Sequence, residues 1–313
     1  MVIYHYPFKE KENIPKCVLA LGFFDGVHIA HRDLIETARV EAKRRGLAFG
    51  VFTFGSDGSI KSRAARLYGD DDKAEIFASL GADFTVIADF GGIAGLSGEE
   101  FVKDVLVSDL NCKVCVAGFN FRFGHKASSG EGELRQYMSE AGGEAVIREE
   151  ITGEDKVTLS ASLIRDMIIG GEIKRANKIL GAPYYIKGRV SHGRKVGRSI
   201  GFPTANIPIR EGRIIPMAGV YSTAVVIDDK IYKAVTNIGS CPTFGEHEVH
   251  LESFIIDFSG DLYDKEIRVF LLDFLRPERT FASVEELCKQ IEYDKNRVIT
   301  EIGDISWQEL GLK

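Results

Sequence analysis

The sequence predicts two domains in series: an α/β domain built on a parallel sheet covered by helices, then a β domain, an antiparallel sheet or barrel closed by one terminal helix. Three observations carry this expectation. Short apolar runs alternate with amphipathic stretches in the first half; β-rich segments follow one another with few helices between them in the second half; and 313 residues exceed what one average core serves.

In chain order, CVLALG (17 to 22), LAFGVFTF (47 to 54), ADFTVIADF (82 to 90) and KVCVAG (113 to 118) read as buried strands. HRDLIETARVEAKRRG, DDKAEIFASLG and EEFVKDVLVSDL lie between them with helical spacing of apolar residues. Such alternation implies a parallel sheet with both faces covered, in which ligands bind beyond the carboxyl ends of the strands. The stretch SLIRDMIIGGEIKRANKILG reads as a helix interrupted at Gly170 and Gly171 and ending before Pro183, which places a domain boundary after residue 183. Beyond it come GVYSTAVVI, an Asp228-Asp229 turn, KIYKAVTNIG, EVHLESFIIDF and EIRVFLLDF, all strand-like. Ser283 and Glu286 form a capping box ahead of a closing helix.

Composition narrows the function class. Hydrophobic residues make up 44% and charged residues 27%, the balance of a soluble globular protein, and no apolar run approaches a bilayer span. The first residues lack a signal peptide's apolar stretch, so the expected location is cytoplasmic and no membrane partner is expected. The odd count of 5 cysteines, widely spread, argues against a disulfide framework, and Cys112 and Cys115 read as strand residues rather than metal ligands. A net charge of −6 argues against nucleic acid as a partner. Locally the sign reverses: KGRVSHGRKVGR (187 to 198) is basic without an acidic residue, a candidate anion contact.

Two constellations point to phosphate chemistry. In GFFDGVHIAH (22 to 31), Gly22, Phe24, Asp25 and Gly26 form a strand-to-helix turn through which the backbone can approach a phosphate. His28 and His31, at the start of the following helix, can donate hydrogen bonds to phosphate oxygens as charge moves in a transfer reaction. GFNFRFG (118 to 124) and LSASLIR (159 to 165), with Asn120, Ser160, Ser162 and Arg165, are candidates for the same cleft. In the second half, Gly193, Lys195, Gly197 and Arg198 belong to a basic glycine-rich loop able to follow a triphosphate. Thr204 and Asn206, two apart in PTAN, offer hard oxygens that suit Mg²⁺. Strand alternation places Glu252 on the face of Phe254, Ile256 and Phe258, read here as the core face, where a carboxylate is costly unless paired or used as a general base.

These motifs, in this order and over nearly the whole chain, resemble the bacterial bifunctional riboflavin kinase/FMN adenylyltransferase family. The resemblance implies a Rossmann-like FMN adenylyltransferase domain over 1–183 and a riboflavin kinase β-barrel over 184–313. It implies riboflavin, FMN and ATP as small-molecule partners, ATP as co-substrate with Mg²⁺, and FMN and FAD as products. Carried over residue by residue, Thr204 and Asn206 would bind Mg²⁺, Gly193 to Arg198 would cover the phosphates, and Glu252 would deprotonate the ribityl 5′-hydroxyl. His28 and His31 would serve adenylyl transfer, with Gly22, Phe24, Asp25, Gly26, Ser160, Ser162 and Arg165 on the nucleotide and Asn120 on the flavin side.

The sequence departs from the family pattern at Ala30, Asn120, Leu163 and the segment 55–62, where glycine, aspartate, arginine and a proline-flanked histidine are usual, and at Asp264, usually glycine. Two alternatives therefore stand beside the bifunctional enzyme: a riboflavin kinase with a degenerate N-terminal domain, and a flavin-binding regulator.

Overall fold

The computed structural model describes all residues except 11, 56–64, 152–157, 193–195, 241–248 and 313, and only the backbone at 196, 198 and 240. The chain forms two compact units, Met1–Ala161 and Ser162–Lys313.

The first unit is a six-stranded parallel sheet in the order β1-β4-β3-β2-β5-β6. Its strands are β1 (Val2–Tyr6), β2 (Cys17–Leu21), β3 (Ala48–Phe54), β4 (Phe84–Ala88), β5 (Cys112–Gly118) and β6 (Glu144–Arg148). The four expected strands occupy the centre, where burial on both faces demands continuous apolar runs. β1 and β6 escaped the sequence reading because they lie at the sheet edges, half exposed, and carry charged or polar residues among the apolar ones. Helix α1 (Ile29–Arg45) runs from the end of β2 and stops at Gly46, with Lys43, Arg44 and Arg45 at its negative end. Helix α2 (Asp70–Ser79) opens on three aspartates at its positive end. The short helices α3 (Phe90–Ile93) and α4 (Gly98–Glu100) lead into a π-helical stretch over Phe101–Asp109, and α5 (Glu131–Glu140) packs beside β6. Cys112 and Cys115 lie fully buried in β5, and burial pushes the Cys115 thiol up to about 12, so the pair packs as two small apolar residues, as expected.

The units part between Ala161 and Ser162, earlier than the boundary expected after residue 183. The interrupted helix becomes α6 (Ala161–Ile169) and α7 (Ile173–Leu180), separated at Gly170 and Gly171 as the sequence indicates. The reason for the earlier break is packing: Asn177 donates its amide to the Leu271 carbonyl at 2.8 Å and accepts from the Tyr184 amide at 2.8 Å, and Lys174 pairs with Asp273. These partners all belong to the second unit.

That unit is a nearly closed antiparallel barrel of six strands in the order β7-β12-β9-β10-β11-β8. The strands are β7 (Tyr185–Arg189), β8 (Thr204–Pro208), β9 (Gly219–Ile227), β10 (Lys230–Ser240), β11 (Val249–Ile255) and β12 (Glu266–Arg276), with the single helical turn α8 (Val196–Ser199) between β7 and β8. An isolated bridge between Ser191 and Asn206 draws the two edge strands together. Asp228 and Asp229 turn β9 into β10 with both φ positive, as a two-residue hairpin requires. Asp264 also lies in the left-handed region (φ 63°), which explains why glycine is usual there: glycine adopts it without strain, and aspartate tolerates it better than most residues.

Helix α9 (Val284–Glu301) closes the unit. The Ser283 hydroxyl accepts from the Glu286 amide, but the Glu286 carboxylate reaches back to the Ala282 amide rather than to Ser283, so the cap is a box displaced by one residue. Val298 packs on Val220, Val235 and Ile256. Beneath it Asp294, 2% exposed, takes Arg276 at 2.9 Å and the Gln290 amide at 2.7 Å. Removing the carboxylate leaves a partly buried guanidinium without its charge partner and the Gln290 amide without its acceptor. Asp294→Ala is therefore expected to destabilise this unit by about 3 kcal/mol, measured as a shift of the urea denaturation midpoint.

Candidate active sites

In the first unit the chemistry-bearing turn lies at the carboxyl end of β2, beside the carboxyl end of β5. The chain folds back sharply there: Phe24 (φ 51°), Gly26 (φ 86°) and Val27 (φ 42°) are all left-handed, and for a β-branched valine this is a strained conformation. The fold is held by burial. Phe24 and Val27 are fully enclosed, and the Phe24 ring meets Phe77 edge-on and sits so close over Gly22 that a Cβ there would lie 2.9 Å from it. Phe24 was expected among the phosphate-contacting residues. Its ring is enclosed and shapes the turn instead. The Asp25 carboxylate accepts the Leu67 amide at 3.2 Å and so ties the turn to the chain beyond β3.

His28 stands at the N-cap of α1 without a side-chain cap bond, and its ring stacks on His31 with centroids 3.7 Å apart. The Nδ1 atoms of both rings are buried without a hydrogen-bond partner among the described residues. Desolvation lowers the pKa of His28 to about 4, against a smaller opposing effect of Asp25, and lowers that of His31 well below its ordinary value, with His28 adding to the shift. Both imidazoles are thus neutral near pH 7, stacked beside the positive end of α1. Ala30 lies within the first turn of that helix on helical backbone, so its methyl imposes no conformational cost. Asn120, just past β5, is exposed, with Oδ1 lying 3.4 Å from where a side chain at Gly118 would begin.

Sequence reasoning missed Lys73. It is 3% exposed, pairs with Asp70 at 3.2 Å and donates to the Phe54 carbonyl at the end of β3 at 2.9 Å. A lysine inside an amphipathic helix carries no local signal of such burial.

LSASLIR is divided between the units. Ser160 precedes α6 in the first; Ser162 and Arg165 belong to the second, where the Arg165 guanidinium donates to the Ser162 hydroxyl at 3.2 Å. The replaced segment 55–62 lies outside the described residues apart from Gly55.

In the second unit β8, β11 and β10 bring the expected residues together. Asn206 is paired in register with Glu252, and Glu252 with Asn237; Thr204 is paired with Phe254. Paired residues share a face, so Asn206, Glu252 and Asn237 form one row. Gly197 lies against this edge: a Cβ on it would meet the Phe202 carbonyl at 2.3 Å and lie 3.5 Å from the Thr204 hydroxyl. Phe202 in turn meets the Phe254 ring edge-on. Gly193, Lys195 and the Arg198 side chain lie outside the described residues.

One expectation is corrected. Glu252 shares a face with Phe254 and Ile256, but that face is the outside of the barrel, covered in part by α9, and Glu252 is only partly buried. The interior face carries Leu251, Ser253 and Ile255. Alternation identifies two faces without saying which one closes on itself, and here both are largely apolar.

The oxygen donors of Thr204 and Asn206, adjoining a loop backbone and a carboxylate, fit a hard cation with phosphate ligands. Among the described residues no group of three or more His, Cys, Asp or Glu is arranged to hold a metal by itself, and no helix is long and apolar enough to cross a membrane.

Comparison with known proteins places a family match on each half of the chain. Residues 10–162 match the family model of FAD synthetase and residues 180–301 that of riboflavin kinase. The bifunctional riboflavin kinase/FMN adenylyltransferase of Bacillus subtilis is 36% identical, with 96% of each chain covered. That of Listeria monocytogenes is 38% identical over 93% of this chain and 94% of its own. The crystal structure of a macrolide-efflux protein from Streptococcus pneumoniae superposes with a TM-score of 0.84 at 30% identity, covering 96% of this chain and 99% of that one.

The histidine pair yields a pH prediction. A folded-state pKa depressed below the ordinary 6.5 means that the unfolded chain binds more protons between about 4 and 6.5. The stability contribution is therefore complete above pH 6.5 and lost as pH falls toward 4. NMR titration of the His28 ring is expected to give a midpoint near 4, moving upward when pyrophosphate is added, because a nearby anion favours the imidazolium.

Proposed function

The chain belongs to the bifunctional riboflavin kinase/FMN adenylyltransferase family, and from that membership we propose which of its residues perform the two reactions. In the second unit, riboflavin and ATP give FMN and ADP; in the first, FMN and ATP give FAD and pyrophosphate. The observation that carries the kinase assignment is the register that sets Glu252 beside Asn206 on the edge where Thr204 adjoins Gly197.

Thr204 and Asn206 would hold Mg²⁺ with the phosphates of ATP, where the ion would supply charge neutralisation on the phosphoryl oxygens. The basic loop, Gly193 to Arg198, covers the triphosphate. Glu252 accepts the proton of the ribityl 5′-hydroxyl as that oxygen bonds to the γ-phosphorus and the bond to ADP breaks. Partial exposure suits this task, since the substrate must reach the carboxylate.

In the first unit, the amides of the turn and the start of α1 bind nucleotide phosphates. An oxygen of the FMN phosphate attacks the α-phosphorus of ATP and pyrophosphate leaves. His28 and His31, neutral before substrate arrives, donate N–H groups to the charge that builds on the transferring phosphate. Asn120 serves the flavin side and Ser160 the nucleotide; for Ser162 and Arg165, which belong to the second unit, a nucleotide role rests on the family resemblance alone. The helical backbone at Ala30 supports retention of this activity, against a degenerate N-terminal domain. Buried free thiols at Cys17, Cys112 and Cys115 accord with a cytoplasmic setting, where both substrates and ATP are at hand.

Incubation with riboflavin, ATP and Mg²⁺, with the flavins separated over time, is expected to show FMN rising and then giving way to FAD. Glu252→Gln is expected to lower FMN formation about 10³-fold while FMN supplied directly is still converted to FAD. Accumulation of FMN without FAD in the parent enzyme would favour the monofunctional kinase.

A further inference from the structure

We propose that Lys73 is a positioning residue for adenylyl transfer: acting through the Thr53 hydroxyl on the Phe23 carbonyl, it holds the turn after β2 in its folded-back shape. The inference rests on the adenylyltransferase reading of the first unit. The chain of contacts is short. The Lys73 ammonium donates to Thr53 Oγ1 at 3.4 Å, and the Thr53 hydroxyl in turn donates to the Phe23 carbonyl at 3.0 Å. Thr53 is fully enclosed and Lys73 nearly so, which keeps water from competing for either bond.

The Phe23 carbonyl is the last oxygen before the chain turns left-handed. It shares one planar peptide with the Phe24 nitrogen, so holding the oxygen holds the plane from which the φ of Phe24 (51°) departs. Strained residues such as Phe24 and Val27 persist only where their surroundings over-determine them. Burial of their side chains does so from the core, and the Thr53 hydroxyl does so from β3. The Phe23 ring, stacked on Phe54 at 4.4 Å, ties the turn to the same strand a second time.

Lys73 fixes the direction of the Thr53 bond. A threonine hydroxyl can rotate its proton among acceptors; receiving the ammonium on a lone pair, it is left as the donor to Phe23. The ammonium is itself held by the Phe54 carbonyl at 2.9 Å and by Asp70, in the first turn of α2, at 3.2 Å. One buried cation thus joins the turn after β2, the end of β3 and the start of α2. Desolvation lowers its pKa, against the opposing charges of Asp70 and, from within the turn itself, Asp25. Apolar residues of similar volume commonly serve stability as well as a buried ion pair does. Here the pair lies two hydrogen bonds from a strained turn, where shape matters more than stability.

The test follows both reactions of the full-length enzyme, FAD from supplied FMN and FMN from riboflavin, in Lys73→Met, Thr53→Val and Thr53→Ser. The first variant keeps side-chain length without the charge, and the second keeps the shape of threonine without the hydroxyl. Each is expected to raise the KM for ATP in FAD formation about tenfold, the scale of one lost hydrogen bond, with a smaller fall in kcat and no change in either constant of FMN formation. Thr53→Ser, which keeps the hydroxyl, is expected to stay within about twofold of the parent, and Lys73→Met with Thr53→Val to lose no more than Lys73→Met alone, because the two residues act in series. Should Lys73→Met not fold, the two Thr53 variants decide. Unchanged FAD kinetics in Lys73→Met or Thr53→Val, equal losses in Thr53→Val and Thr53→Ser, or additive losses in the double variant would overturn the positioning role while leaving the adenylyltransferase reading standing. A parent enzyme that forms no FAD from FMN would overturn that reading and the role with it.

Discussion

Inside the barrel three hydroxyls are joined in a row: Thr223 to Thr236 at 2.8 Å and Thr236 to Ser253 at 2.8 Å, all without solvent exposure. Each would cost free energy if left unpaired in that interior, so the row constrains how β9, β10 and β11 align. A slip of β11 by one residue would break it and turn Glu252 inward, because side chains alternate between faces. The same alignment puts Glu252 opposite Asn206 and Asn237 on the outer face. The row of Asn206, Glu252 and Asn237 is thus the reverse side of a buried polar one. Helix α9 then covers apolar residues of that outer face through Val298.

The first unit meets a similar demand by other means. Parallel sheets bind ligands at the carboxyl ends of their strands, and the turn after β2 exposes backbone there by folding back sharply. The left-handed residues at 24, 26 and 27 achieve this at the cost of strain, which the enclosed Phe24 and Val27 side chains offset by packing. The same enclosure desolvates His28 and His31 and keeps them neutral. One unit thus carries a partly exposed carboxylate on its barrel face, the other a buried pair of imidazoles with lowered pKa.

Where the sequence was legible, a strong local pattern met a strong local cause. The central strands of the sheet are continuous apolar runs because both faces are covered, and the Asp228-Asp229 turn is a hairpin because both residues tolerate positive φ. Where it was not, the cause was elsewhere in the chain. β1, β6, β7 and β8 are short edge strands, each with at most one flank continuously paired, so polar residues are tolerated and the pattern fades. The break between Ala161 and Ser162 follows from partners of Asn177 and Lys174 that come from β12 and its neighbours, and no local composition marks it.

The sequence by itself determined the two fold classes and singled out the two candidate phosphate motifs and the candidates at 28, 31, 204, 206 and 252, since each rests on residue types at short spacing within one element or turn. Only the tertiary structure decided which face of β11 is the interior, that Phe24 shapes its turn from within, and that Lys73 meets Thr53. Those facts depend on how strands distant in sequence align and on what closes over them, and backbone register, not any neighbouring residue, carries that information.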